Sequence, residues 1–291
     1  MQLPKKAIIT VAGSGTRFLP ATKSQPKEML PIIDKPIIQY NVEELVNSGI
    51  KDIILVTKRG GHAIEDHFDS NFELEHQLLE TGKKDKLKTI REISKIANFI
   101  YLRQKIHLPY GNATPLLVAK DLVSDAPFLY LFGDDITKSK VPVCQQLIDI
   151  YQKNPTAAAV IAAQKIPRKV AYRYGIIKLK KGTSNIYENI VEKPKPGTEP
   201  TDLAEFGRFL FTPKILPIIK KLKTGKNKEL WLVDAINELA KKEKVIVHEI
   251  EGKWLTTGDP LNYLKTTLEF ALERDDLKNE LKKYIVKKLG I

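Results

Sequence analysis

The sequence predicts an α/β protein built on a doubly wound, mostly parallel sheet flanked by helices. Three observations point there. Short β-rich apolar runs alternate with helical patterns along the chain. The first run, Ala7-Ile8-Ile9-Thr10-Val11-Ala12, passes straight into Gly13-Ser14-Gly15, which reads as a buried strand entering a turn. The chain has 291 residues, 42% of them hydrophobic and 29% charged, enough to bury a core in one large domain or two smaller ones.

Taken in order, the strands expected in this sheet are 7–12, 52–57, 98–103, 127–133 and 157–163. Pro36 opens the first clear helix, whose apolar face is Ile37, Ile38, Tyr40, Val42, Leu45 and Val46 and which Gly49 ends. Further helices are expected over 114–122 and 143–151. The long insertion from 57 to 98 is largely helical by pattern, including 72–79. Around 80–88 it becomes strongly charged and reads as an exposed lid or edge. After Gln164 the segments become shorter and alternate: 175–179, 186–191, 206–211 and 245–250. They read as a continuation of the same sheet carrying a substrate-binding elaboration, with a turn-rich connector over 194–201. Helices follow at 213–222 and 232–242, and the end from 260 to 289 is helical. There Leu277, Leu281, Ile285 and Leu289 form an apolar stripe on a basic helix, suited to packing on its own fold or to a subunit contact.

Composition limits the function. One cysteine, Cys144, excludes an internal disulfide framework and fits a reducing, cytoplasmic setting. No apolar run approaches the ~18 residues of a membrane helix. The net charge is +13, yet only eight of the 48 cations are arginine, the residue that reads bases and clamps phosphates in a fork. A lysine surplus of this kind is mostly solvated surface, and no nucleic acid is expected as partner. Abundant Lys and Glu with few Cys and Met is also a thermophile's composition.

The informative stretch runs from Ala12 through Gly13, Ser14, Gly15, Thr16 and Arg17 to Pro26-Lys27-Glu28-Met29-Leu30-Pro31. It leaves the first strand at the sheet's carboxyl edge, where α/β folds place ligands. Glycines there let backbone N–H groups approach anionic oxygens, and Arg17 and Lys27 add full positive charge. Phe18 stands where a dinucleotide fingerprint needs its third glycine, and no Gly-Lys-Ser/Thr follows, so neither standard phosphate motif is present. Polyphosphate binding remains the better reading. Asp134, in Gly133-Asp134-Asp135 at the end of the fourth strand, lies at the same edge and suits Mg²⁺ or a turn cap.

This stretch resembles the sugar-nucleotidyltransferase family over essentially the whole chain. Lys35-Pro36-Ile37-Ile38-Gln39-Tyr40 is similar to its next segment, and Ala63-Ile64-Glu65-Asp66-His67-Phe68-Asp69 resembles its uridylyl branch. Arg103-Gln104, Tyr174-Gly175-Ile176-Ile177, Val191-Glu192-Lys193-Pro194, Gly207-Arg208-Phe209 and Leu232-Val233-Asp234-Ala235-Ile236 follow in family order.

The resemblance implies a Rossmann-like nucleotide-diphospho-sugar transferase fold over 1–259. A nucleotide-binding part would cover about 1–164 and a sugar-binding part about 165–259, with a C-terminal helical segment over 260–291. It implies Mg²⁺-dependent uridylyl transfer from UTP (or, in a neighbouring branch, thymidylyl from dTTP) to glucose 1-phosphate, giving UDP-glucose and pyrophosphate. It also implies a homodimer or homotetramer. By resemblance Arg17 and Lys27 are catalytic. Ala12, Gly13, Ser14, Gly15 and Thr16 wrap the triphosphate, while Gln104 and Gly111 meet the base. Gly175 and Glu192 hold sugar hydroxyls, Lys193 holds the sugar phosphate, and Asp134 binds the metal. Two departures stand out. Thr256 occupies the place of a second acidic metal ligand, with Asp259 nearby, and Tyr110-Gly111-Asn112-Ala113-Thr114-Pro115 replaces a Gly-Leu-Gly-His-Ala segment at the base.

Overall fold

Alternate residues of the first strand face two different cores, which is why the run is apolar throughout. In the computed structural model, which describes residues 1–290 apart from the Lys226 side chain, β1 spans Lys6–Thr10. Ile8 joins one hydrophobic cluster, and Ala7 and Ile9 join the cluster on the other face. Each large side chain so buried contributes roughly 1.5–3 kcal/mol.

The chain continues through a short hairpin, β2 (Pro31–Ile32) and β3 (Lys35–Pro36), into α1 (Ile37–Asn47) and β4 (Asp52–Thr57). Gly49, at φ 79°, follows α1 and lets the chain turn back, as its position predicts. The insertion is α2 (His62–His67), α3 (Phe72–Glu80) and α4 (Lys84–Ile93), and it ends in β5 (Asn98–Arg103). The charged segment over 80–88 is thus a tight turn and the start of α4. Next come α5 (Thr114–Ala119), β6 (Phe128–Phe132), β7 (Asp135–Lys138), α6 (Val143–Lys153) and β8 (Ala159–Lys165). The second half holds β9 (Gly175–Leu179), β10 (Tyr187–Glu192), β11 (Leu203–Phe211), α7 (Leu216–Lys221) and α8 (Leu232–Ala240). The chain closes with β12 (Val245–Glu249), β13 (Lys253–Thr256), α9 (Pro260–Ala271) and α10 (Lys278–Leu289).

The main sheet runs β10-β9-β11-β6-β1-β4-β5; β8 joins it through β11, and β12 pairs parallel with β8. On the early side β6, β1, β4 and β5 are all parallel. The chain winds from β1 one way to β4 and β5 and the other way to β6. That reversal opens a crevice at the carboxyl ends of β1 and β6, where α/β folds bind ligands. The later strands enter antiparallel, β11 against β6 and β9.

Two features were not expected from the sequence. The pair β7–β13 forms its own antiparallel ribbon, because four-residue strands of mixed polarity carry no period to read. The C-terminal helix is broken over 272–277, where Arg274 binds both Asp34 and Asp276. Leu277, which precedes α10, and Leu281 and Ile285 within it are only half-buried and Leu289 is exposed, so the stripe packs partially. No helix among the described residues is long and apolar enough to cross a membrane.

A buried polar network fixes the turn that bears Asp134. Arg208, on β11, is 0% exposed. It donates to both carboxylate oxygens of Glu44 on α1, to Asn41 Oδ1 at 2.5 Å and to the Asp135 carbonyl at 2.9 Å. Glu44 also accepts from the Thr137 hydroxyl and the Cys144 amide. Burial alone would lift the Glu44 carboxyl, but the guanidinium outweighs it and holds it below the usual carboxylate range. The end of β6 is therefore clamped to α1, β7 and β11 at once.

Candidate active site

The turn after β1 is tied down from behind. Gly15 sits at φ 66°, a left-handed conformation that a side chain would strain. Its carbonyl accepts from the Thr22 hydroxyl at 2.7 Å, and the Gly13 carbonyl accepts from Lys58 Nζ at 2.8 Å. Lys58 stands at the end of β4, so neighbouring strands brace the turn. Sequence reasoning passed over it because a lone lysine after a strand is the commonest surface feature of this chain.

A single 3-10 turn, Lys27–Met29, then splits two adjacent charges. Lys27 reaches across the crevice to Asp134 Oδ2 at 2.5 Å. Glu28 points inward, 1% exposed, with Oε1 3.9 Å from Lys27 Nζ and Oε2 without a hydrogen-bond partner among the described residues. Burial would lower the Lys27 ammonium, but Asp134 and Glu28 override it and raise it well above the usual lysine value. Burial pushes the Glu28 carboxyl up to about 7 against the pull of Lys27. Burial would likewise raise Asp134, but Lys27 wins and holds it below the usual range. The adjacent Asp135 goes the other way, pushed up to about 6 by burial and by Asp134. Trp254 Nε1 donates to it at 2.7 Å, so it serves the wall and not the crevice.

Arg17 closes the opposite side. Its Nη1 donates to the Gly258 carbonyl at 3.0 Å. A side chain added at Gly258 would lie 3.2 Å from Asp134 Oδ2, 3.5 Å from Thr256 Oγ1 and 3.6 Å from Arg17 Nη1, so these three groups border one small space. Thr257 donates to the Asp134 carbonyl through both its amide and its hydroxyl. Asp259 is employed elsewhere: it caps α9 by accepting from the Asn262 amide and pairs with Arg173 at 3.1 Å.

Three cavities meet along the crevice. One of about 260 Å³ is lined by Ala12, Gly13, Lys27, Gln104, Gly111 and Asp134 among others. Gly111, at φ 136°, admits no side chain, since a Cβ would fall 2.2 Å from the Leu230 carbonyl oxygen. A second, of about 290 Å³, shares Gly13, Lys27 and Asp134 with the first and adds Ser14, Gly15, Thr16 and Arg17. The third, of about 340 Å³, shares Trp231 with the first and is lined by Glu192 and Lys193. Lys193 Nζ lies 3.6 Å from Glu192 Oε1. Gly175 pairs with Glu192 across β9 and β10. Apart from Gly175, which is buried beside Glu192, the residues singled out from the sequence all line the cavities of this crevice. Glu28, Lys58 and Thr256 complete it, and the first of these was legible as the neighbour of Lys27.

The donor set suits a hard cation of the magnesium type. Such an ion takes one or two carboxylates and completes its shell with water and substrate phosphates. Asp134 supplies one accessible carboxylate, with the Thr256 hydroxyl beside it. Among the described residues no cluster of three acidic, histidine or cysteine side chains forms a closed metal cage. The arrangement can bind an anion on the turn, neutralise it with two cations and hold a second anion near Lys193.

Comparison with known proteins gives the same picture over the same span. A family model described as Nucleotidyl transferase matches residues 6–272. A UTP–glucose-1-phosphate uridylyltransferase of Bacillus subtilis (strain 168) is 44% identical over 283 residues, 97% of this chain and 96% of its own. Its namesake in Staphylococcus haemolyticus (strain JCSC1435) is 44% identical over 292 residues, covering 100% of each chain. Among solved structures, a UTP-bound UGPase from Acinetobacter baumannii is similar with a TM-score of 0.85 at 35% identity, over 98% of this chain and 99% of that one. A UDP-glucose pyrophosphorylase complexed with UDP-glucose gives 0.83 at 34% identity, over 94% and 100%.

Proposed function

The chain belongs to the nucleotidyl transferase family, and we propose that it transfers the uridylyl group of UTP to glucose 1-phosphate, giving UDP-glucose and pyrophosphate. The observation that carries this reading is the Lys27–Asp134 pair, which stands where the phosphate-turn cavity and the base-side cavity meet. The named relatives and the UTP-bound neighbour support the choice of nucleotide and sugar.

The reaction joins two anions, so the site must neutralise charge and align the groups. A phosphate oxygen of glucose 1-phosphate attacks the α-phosphorus of UTP in line. A P–O bond forms there as the bond to the bridging oxygen of the β-phosphate breaks, and pyrophosphate leaves with that electron pair. The attacking oxygen is already anionic, so no side chain need remove a proton. Arg17 and Lys27 stabilise charge on the α-phosphoryl oxygens and the leaving pyrophosphate. Residues 12–16 wrap the triphosphate, and Gln104 with the Gly111 backbone meets the uracil edge. Lys193 holds the sugar phosphate, and Glu192 with Gly175 holds the sugar hydroxyls. Asp134, beside Thr256, would hold Mg²⁺, which supplies further neutralisation of phosphate charge when bound. The proposed reaction goes with a cytoplasmic setting, in keeping with the single free, buried cysteine Cys144.

The test is pyrophosphate release from purified protein with Mg²⁺, one nucleoside triphosphate and one sugar 1-phosphate at a time. Turnover with UTP and glucose 1-phosphate is expected. No turnover with any pair would overturn the reading, and turnover with dTTP alone would move the chain to the thymidylyl branch.

A further inference from the structure

A second carboxyl stands across Gly175 from Glu192, which lines the third cavity. Glu192 on β10 and Gly175 on β9 are register partners. On the other side of β9, Ala204 on β11 pairs with Ile176, so one step along the antiparallel ladder sets Glu205 opposite Gly175. Register partners project from the same face of a sheet. Glu192, Gly175 and Glu205 therefore form a row across three strands, with the glycine in the middle. The absent side chain leaves the space over which the two outer ones meet. A Cβ on Gly175 would lie 3.1 Å from Glu192 Oε2 and 3.2 Å from Glu205 Cγ.

Glu205 has no hydrogen-bond or ion-pair partner among the described residues. Its Oε2 is enclosed and accepts or donates no hydrogen bond. The Tyr187 hydroxyl on β10 is already given to Asn237 at 2.6 Å, and the Lys193 ammonium stands by Glu192. An enclosed polar oxygen left without a partner costs stability, so one kept beside a binding cavity calls for a ligand group.

We infer that Glu205 is a further specificity-determining residue of the sugar subsite, its carboxyl meeting a ring hydroxyl of the hexose alongside Glu192. The inference rests on the proposed reaction and adds a contact to it. Burial, with the negative charges of Glu192 and Asp135, pushes the Glu205 carboxyl up to about 8. At neutral pH it keeps a proton and can both donate to and accept from a hydroxyl.

The test compares wild type with Glu205→Val and Glu205→Gln by calorimetric binding of UTP and UDP-glucose and by KM for glucose 1-phosphate. Removing one such hydrogen bond should weaken UDP-glucose, and raise KM for the sugar phosphate, by about tenfold in Glu205→Val. UTP binding should be unchanged, and the amide of Glu205→Gln should keep affinity within about threefold of wild type. Among monodeoxy analogues of glucose 1-phosphate, the one lacking the contacted hydroxyl should lose nothing further in Glu205→Val. Unchanged UDP-glucose affinity in Glu205→Val, an equal loss of UTP affinity, or an equal penalty on every analogue would each overturn the assignment. A wild-type protein that turns over no UTP with glucose 1-phosphate would instead overturn the proposed reaction.

Discussion

Two ion pairs stand on either side of the Asp134–Asp135 turn and do opposite work. Arg208–Glu44 is sealed, with side chains 0% and 8% exposed. All three guanidinium nitrogens are hydrogen-bonded, and Glu44 has further donors from Thr137 and Cys144. Lys27–Asp134 opens to the crevice, with side chains 19% and 24% exposed, and beside it lies the unpartnered Glu28 Oε2. A charge whose hydrogen bonds are complete holds architecture. A charge set left incomplete at a sheet edge is prepared for substrate. The distinction lies in satisfaction, since both pairs are clamped to the same turn.

The largest expected effect comes from breaking the sealed pair. Arg208→Met strands the Glu44 carboxylate in the interior and should cost about 3–5 kcal/mol of stability. Urea unfolding measures it. Protein that remains folded should keep KM for both substrates close to wild type. A variant of normal stability and poor activity would place Arg208 in the site and dissolve the contrast. Replacing both partners, Glu44→Leu with Arg208→Met, should recover part of the loss, because no orphaned charge is left.

Lys27→Ala should invert that pattern. Removing a donor aimed at developing phosphate charge costs about 10²–10³ in kcat. The same change should move the urea midpoint less than Arg208→Met does, since the pair opens to the crevice, where water can reach Asp134 once the ammonium is gone. Asp134→Asn should cost about 10² in rate. It should also raise the Mg²⁺ concentration giving half-maximal rate, an effect that a merely structural role would not produce. A rate close to wild type in either variant would remove the role assigned to that residue.

Legibility followed the same division. The phosphate turn, Lys27 and Asp134 could be read because a strand, a glycine pair and cations at fixed spacing make a local pattern. The parallel strands could be read because burial on both faces gives continuous apolar runs such as residues 52–57. Gly207-Arg208-Phe209 could be recognised as a motif, but its work could not be seen. Nothing near Arg208 in sequence announces that Glu44, 164 residues earlier, will meet it. Glu205 was hidden for a related reason, since it matters only through a register that sets it across Gly175. The β7–β13 ribbon was invisible because its pairing joins segments more than a hundred residues apart, each too short for a period.

The smallest effect separates the two regions by their response to pH. In the fold the Glu28 carboxyl is pushed up to about 7 by burial, against Lys27 and with Asp134, from a usual 4.5. The native state therefore binds that proton more tightly than the unfolded chain does. Between these two pH values the folded form carries more protons, so stability falls as pH rises through the window and levels off above it. Glu44 responds in the opposite sense: Arg208 holds its carboxyl down, so its contribution is intact above the unfolded value and is lost only in acid. From pH 5 to pH 8 the sealed pair should give no slope while the open site gives a negative one. Asp135 and Glu205, also pushed up by burial, add to that slope with the same sign. Glu28→Gln isolates one share of it. Urea midpoints at pH 5 and pH 8 should show the variant losing about 2 kcal/mol less than wild type across that range. Equal losses would mean that Glu28 already has a partner in solution, and the open site would then be as satisfied as the sealed one.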